Sequence, residues 1–325
     1  MPRTPRVFIT GKVYEICFRT EEGLPLVCTP YMEVILRGIL AQAFSSYEIT
    51  CLSLIVMGNH VHMHVLVHNP EHVDDMVCYI KRESSHAINN LLGRRRHTVW
   101  QESYDAAPIL DVNKMIERLG YVFLNPARAE LEVSIEAYPG LNSWKSLTES
   151  KTVFKGRRIP REVIQAIPES PMSFSEQRAF ADALLEEALP EQEIEIDPLS
   201  FLDAFPEGKN LSREKVRQMI ISRVKDEEAR LAREREKPVL GAHALRLASI
   251  RATHAPTKFG KKMWCLGSTR EIRMPFINWL KEQFAERLKL KAELPLATYL
   301  QNLPAGFFAP GGYLRANLNP AFVPF

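Results

Sequence analysis

The spacing of apolar and polar positions changes period several times along the chain, and each change predicts an element. Residues 7–20, VFITGKVYEICFRT, alternate and are rich in β-branched side chains, which predicts a strand. After Thr29-Pro30, the residues Met32, Ile35, Leu36, Ile39, Leu40 and Phe44 fall at helical spacing. EITCLSLIVMG predicts a second strand, Gly58-Asn59 a tight turn, and HVHMHVLVH a third strand. Over 71–92 the stripe Val73, Val77, Ile80, Ala87, Ile88 and Leu91 predicts a helix. A short strand over 106–111 follows, and Asp111 is placed to cap a helix running to about Asn125-Pro126. The order β-α-β-β-α-β and a further helix is that of an α+β, ferredoxin-like split βαβ domain, an antiparallel sheet with helices on one face.

Beyond residue 148 the pattern loosens. Residues 149–210 are polar, acidic and Pro-bearing, and are expected to form a connector with short helices. Residues 211–325 are expected to be a mainly helical extension with an irregular tail from 303. One helix is expected over 212–235, with Val216, Met219, Ile220, Val224 and Leu231 as its apolar stripe. A second is expected over 268–291, opened by a Ser268–Glu271 capping box, with Pro275 early in it and Phe276, Trp279, Leu280, Phe284 and Leu288 as its stripe. Residues 1–148 thus make the first domain.

Composition narrows the class. The five cysteines are scattered without a C-x-x-C pair, which argues against a disulfide framework or structural zinc site and for a reducing cytoplasm. Neither a signal peptide nor a membrane span is expected from the sequence. The net charge of +3 is uneven: residues 1–150 carry 14 Lys/Arg against 17 Asp/Glu, and residues 151–325 carry 28 against 22. A phosphate site in the first half would therefore need local focusing of charge.

Within MGNHVHMHVLVH, His60, His62 and His64 alternate along one predicted strand and so share a face. Two imidazoles at this spacing can hold one divalent ion, and either 60/62 or 62/64 could be the pair. The plain alternative is a polar sheet face that happens to use histidine. His68, at the strand end, is expected in solvent.

LIVMGNHVHMHVLV resembles the VVMPNHVHLLV segment of single-tyrosine HUH transposases, with Gly58 where that family has proline and His64 where it has an aliphatic residue. VYEICFRTEEGLPLV resembles the family's first strand, and VWQESYDAAPI (99–109) the stretch before its last strand. ERLGYVFLNPARAEL (117–131) resembles the LRYIHLNPVRAGL helix, and AYPGLNSW (137–144) the DYPWSSY that follows it. The resemblance is to REP-associated tyrosine transposases, within the IS200-like group, and spans about residues 7–148.

The resemblance implies a metal-dependent (Mg2+ or Mn2+) single-stranded DNA endonuclease and strand transferase, cutting beside DNA hairpins through a 5′-phosphotyrosine. Its register makes His60 and His62 the metal pair, Asn125 the third ligand, Tyr121 the nucleophile, and His64 an alternate or supporting residue. Tyr121 and Asn125 stand at i and i+4, neighbours on a helix face. A tyrosine hydroxyl, with a pKa near 10, needs such help at neutral pH. Without the joint pattern, Tyr121 would read as a core aromatic and Asn125-Pro126 as a helix stop. For the DNA strand, the candidate contacts are Lys81, Arg82, Arg94, Arg95, Arg96, Trp100 and Tyr104, basic charge with aromatic platforms nearby. Competing functions are a non-catalytic hairpin-binding descendant, and a metallohydrolase that uses the histidines with water. Monomer and homodimer are both open.

Overall fold

The structure is a computed structural model and describes residues 6–21, 26–149, 152–252, 263–304 and 306–307. The first half runs β1 (Val13–Arg19), α1 (Pro30–Ser46), β2 (Ile49–Met57), β3 (His60–Val67), α2 (Glu71–Leu91), β4 (Asp105–Ile109), α3 (Val112–Phe123), α4 (Asn125–Arg128) and α5 (Trp144–Thr148). Thr29 caps α1 by accepting from Met32 N, and Asp111 caps α3 by accepting from Lys114 N. The strands form one antiparallel sheet in the order β2-β3-β1-β4. The fold is therefore α+β, a four-stranded antiparallel sheet with helices and a helical C-terminal region.

Alternation assigns the two sheet faces. Tyr14, Ile16 and Phe18 of β1 and Val61, Met63, Val65 and Val67 of β3 are buried beneath α1 and α2. The opposite face is covered too. There Val13, Ile55, Met57 and Ile109 pack against Met115, Ile116, Leu119 and Val122 of α3. The expected pair of helices on one face is present, and α3 adds cover on the other because its apolar stripe needs a surface as well. Both sheet edges are shielded. Residues 141–143 run along β2, with Val56 N donating to Leu141 O, and Leu266 pairs with Ile109 of β4, its N–H donating to Pro108 O.

The segment expected as a connector holds more order than its pattern shows. β5 (Thr152–Arg157) and β6 (Glu191–Ile196) pair antiparallel, with α6 (Phe174–Glu186) between them in sequence. Phe154, Ile159, Ile164, Leu184 and Ile196 bury into the same core as α1. Backbone meets backbone there: a Cβ on Gly38 of α1 would lie 2.2 Å from Arg157 O, and one on Gly156 would lie 2.4 Å from Arg37 O.

The extension comprises α7 (Arg213–Glu234), α8 (Ala242–Arg246), α9 (Arg270–Glu293) and α10 (Leu296–Gln301). Val216, Ile220 and Val224 of α7 join the α3 core, whereas Met219 is 49% exposed and Leu231 only partly buried, so the inward stripe is narrower than expected. Thr269, not Ser268, caps α9 by accepting from Ile272 N, and Pro275 lies inside that helix. Most of the expected irregular tail lies outside the described residues. Among the described residues, no helix is long and apolar enough to cross a membrane.

Candidate active site

Strand register sets the surroundings of each histidine. β3 places His60 opposite Arg19, His62 opposite Cys17 and His64 opposite Glu15. Directly opposed side chains on antiparallel strands are neighbours, so these pairs decide the local chemistry. On the other side, an irregularity between Cys51 and Ser53 in β2 brings Ser53 opposite His64.

His64 is fully buried and both of its ring nitrogens are engaged. Nδ1 is 2.7 Å from Ser53 Oγ and Nε2 is 3.3 Å from Glu15 Oε2. His60 and His62 lie edge to face, ring centroids 4.9 Å apart. His60 Nδ1 is 2.7 Å from Asn59 Oδ1, so Nδ1–H donates there and Nε2 keeps its lone pair. His62 Nδ1 lies 3.5 Å from Glu15 Oε1, an ion-pair distance that falls short of hydrogen-bond geometry, and its Nε2 lies 3.9 Å from Cys17 Sγ.

Glu15 joins the histidine strand to the helix that carries Tyr121. Arg118 Nε donates to Glu15 Oε2 at 2.6 Å, and a terminal guanidinium nitrogen donates to Oε1 at 2.5 Å, a bidentate pair. The same guanidinium lies 4.0 Å from the centroid of the Tyr121 ring, and that of Arg128 lies 4.9 Å away. Tyr121 is partly exposed, and its ring centroid is 6.5 Å from that of His62. One chain thus brings Tyr121 to the histidine face.

The charges follow from this packing. Burial raises the Glu15 pKa, but His62, His64 and Arg118 outweigh it and hold the carboxyl well below the usual range. Burial, reinforced by His62 and Arg19, keeps His60 well below the ordinary imidazole value. For His62, burial is outweighed by Cys17 and Glu15, and its pKa is pushed up to about 9. Burial also lowers His64, against the pull of Glu15.

Residues 13–122 match the family model described as "Transposase IS200 like". This segment is an IS200-like transposase domain. The domain model covers about a third of the chain, all of it within the four-stranded unit. Among solved structures, the chain is similar to a REP-associated tyrosine transposase bound to a REP hairpin, at 15% identity and a TM-score of 0.41, covering 46% of this chain and 86% of that one. No curated protein matches the chain significantly.

The candidate donors for a divalent ion are His60 and His62 of the matched segment and Asn125 just beyond it. Among the described residues, no three His, Cys, Asp or Glu side chains group to hold a metal. That leaves two imidazoles plus an amide. Asn125, one turn after Tyr121, has a side-chain nitrogen that is buried without a partner. Amide oxygen and nitrogen exchange by a flip, so the same position can present a ligand oxygen. An imidazole and an amide oxygen are donor types that suit Mn2+ or Mg2+, and His62 would have to give up its proton to join them.

The DNA contacts expected around α2 separate into two groups. Trp100 is buried, donates from Nε1 to Ser84 Oγ at 2.8 Å and packs edge-on against Phe18. Tyr104 is also buried, bonded through its hydroxyl to Asp74 and covered by Arg6. Neither offers a free stacking face, a correction to the expectation: burying an aromatic beside its polar partner outweighs exposing it. Lys81 Nζ donates to Gln101 O, Arg82 pairs with Glu83, and Arg94 Nε donates to Asn89 Oδ1. Arg95 and Arg96 are exposed. All five basic residues belong to α2 or the loop after it, on the layer across the sheet from the histidines.

Sequence reasoning passed over Glu15 and Arg118. Arg118 carried a local signal, since it precedes Tyr121 by three residues on one helix face. Glu15 carried only the weak one of a carboxylate midway along an apolar strand.

Proposed function

We propose that this chain is a metal-dependent single-stranded DNA endonuclease and strand transferase that cuts beside DNA hairpins through Tyr121. The observation that carries the reading is the contact between Tyr121 and His62 within one chain, inside an IS200-like transposase domain. The Tyr121 hydroxyl oxygen attacks phosphorus, and the bond to the 3′ oxygen breaks. The phenol proton ends on the leaving 3′ hydroxyl, and the 5′ phosphate stays on the tyrosine. No water is consumed, so the phosphoester remains available for rejoining.

His60, His62 and Asn125 would hold Mg2+ or Mn2+. Bound there, the ion supplies charge neutralisation at the non-bridging phosphate oxygens. Arg118 and Arg128 bring fixed positive charge to the Tyr121 ring, where the phosphodiester must approach. Glu15 positions His62 and Arg118 together, and Asn59 orients His60. His64 has both nitrogens engaged by Ser53 and Glu15, which supports 60/62 over 62/64 as the ligand pair.

The test is incubation of the chain with Mn2+ or Mg2+ and labelled single-stranded hairpins, wild type against Tyr121→Phe, read on a denaturing gel. A protein–DNA adduct lost in Tyr121→Phe is the expected result. Cleavage that survives the substitution would point to water attack at the histidines. Binding without cleavage would make the chain a non-catalytic hairpin binder.

A further inference from the structure

Beside Tyr121 lies a groove of about 700 Å³ whose second wall comes from outside the matched segment. One wall is α3–α4, with Tyr121, Leu124 and Arg128; the other is α7, from the C-terminal extension. Along α7 the residues at 219, 222, 223, 226, 230 and 233 follow each other at helical spacing and line the groove. The adjacent stripe, Val216, Ile220 and Val224, is buried against α3. The helix is also fixed by polar contacts. Glu228 Oε1 accepts from Ile135 N at 2.7 Å, Arg235 donates to Ala127 O at 3.1 Å, and Leu240 N donates to Glu130 O at 2.9 Å.

Charge in the groove is not balanced. Two of its acids are ion-paired, Glu117 with Lys114 and Glu227 with Arg230, while Asp226 accepts only from the Ser222 hydroxyl. Arg128 also reaches Glu227, at 3.7 Å, while its guanidinium lies against Tyr121. Arg223 and Arg233 form no ion pair among the described residues; Arg233 donates only to Ala229 O of its own helix. Met219, 49% exposed, adds an apolar spot to the same wall. Two unpaired guanidinium groups beside an apolar side chain, in a cleft open to solvent, suit an anionic chain that also carries apolar faces. Single-stranded DNA has both.

We propose that this groove holds a short run of single-stranded DNA continuing from the bond at Tyr121, with Arg223 and Arg233 on its phosphates and Met219 against a base. The proposal rests on the reading of Tyr121 as nucleophile and makes α7 part of the substrate site. The volume lies within the ~300–1,000 Å³ of ligand-sized clefts, which limits the occupant to a short stretch of one strand.

The experiment measures binding of fluorescein-labelled oligo-dT of ~12 nucleotides by anisotropy across a salt series, with chelator present so that no cutting occurs. Full-length wild type is compared with Arg223→Ala/Arg233→Ala. The expected result is roughly tenfold weaker binding at ~0.1 M salt, with the log–log salt slope shallower by about 1.4, as two single-strand phosphate contacts are lost. An unchanged melting temperature would show that the variant is folded. Equal affinity and slope in the two proteins, or no binding of oligo-dT by wild type, would overturn the proposal. The Tyr121 adduct assay on hairpins is scored separately, so a failed groove and a failed nucleophile are told apart.

Discussion

The Glu15–Arg118 pair should be the most sensitive point of the histidine face, and the structure allows the cost of breaking it to be worked out. Glu15 is 8% exposed and Arg118 17%, and two hydrogen bonds join them. Arg118→Met removes one partner and leaves a buried carboxylate facing His62 and His64 at 3.5 and 3.3 Å. Stranding one member of a buried pair costs about 3–5 kcal/mol, and the nearby histidines favour the lower end. For a domain of this size, ~3 kcal/mol corresponds to a fall of roughly 6–12 °C in Tm. Glu15→Gln should cost less, because Arg118 lies nearer the surface and keeps the Tyr121 ring as a neighbour. The double variant Glu15→Gln/Arg118→Met should be less destabilised than the sum of the singles, by about 2 kcal/mol, since removing both partners leaves no unpaired buried charge. Urea and thermal denaturation of the four proteins measures this cycle. Additive losses, or a loss below ~0.5 kcal/mol in Arg118→Met, would refute the claim that the pair couples β1 to α3. Mn2+ titration gives an independent readout, with Glu15→Gln expected to weaken binding about tenfold through disordered His62.

Two further outcomes test how the added layer is held. Gly38→Ala should destabilise the protein by about 1–3 kcal/mol, because the new methyl would meet the Arg157 carbonyl at 2.2 Å; a melting curve like that of wild type would show that α1 and β5 are not in backbone contact. Glu83, on α2, pairs with Arg161 and Arg158 from the segment after β5, and these contacts outweigh burial to hold its pKa below the ordinary value. A carboxyl depressed on folding stabilises above its unfolded pKa of about 4.3, and that contribution is lost as pH falls through the folded value. Glu83→Gln should therefore lower stability at neutral pH and flatten its decline below about pH 4.3, as read by urea denaturation over a pH series.

The elements legible in the sequence were those whose burial is one-sided. α1, α2 and the β3 strand each present one apolar face to one core, so period alone locates them. β5 and β6 were not legible for the opposite reason. In EQEIEI the acidic residues face out and only Ile196 is fully buried, so the strand reads as an acidic linker. What orders it is the close approach permitted by Gly38 and Gly156, which lie more than a hundred residues apart. Trp100 and Tyr104 misled in a similar way. Next to basic residues they have the composition of a nucleic-acid platform, yet their polar tips are held by Ser84 and Asp74, and neither partner is a sequence neighbour.

The three alternating histidines carry the same lesson into the candidate site. In sequence, His60, His62 and His64 are equivalent: same residue, same face, same spacing. Pairing with β1 and β2 makes them different. His60 faces Arg19 and is oriented by the adjacent Asn59, so it stays neutral with a nitrogen to offer. His64 meets Glu15 and Ser53 and has no nitrogen left for a ligand. His62 stands between them, sharing Glu15 with His64 and a ring contact with Tyr121. A histidine's role here is decided by the residue across the strand, and the carboxylate that divides the roles belongs to a strand some fifty positions away in the chain. The charge at this face is thus placed by sheet register, and Glu15 is where His62, His64 and the helix that carries Tyr121 meet.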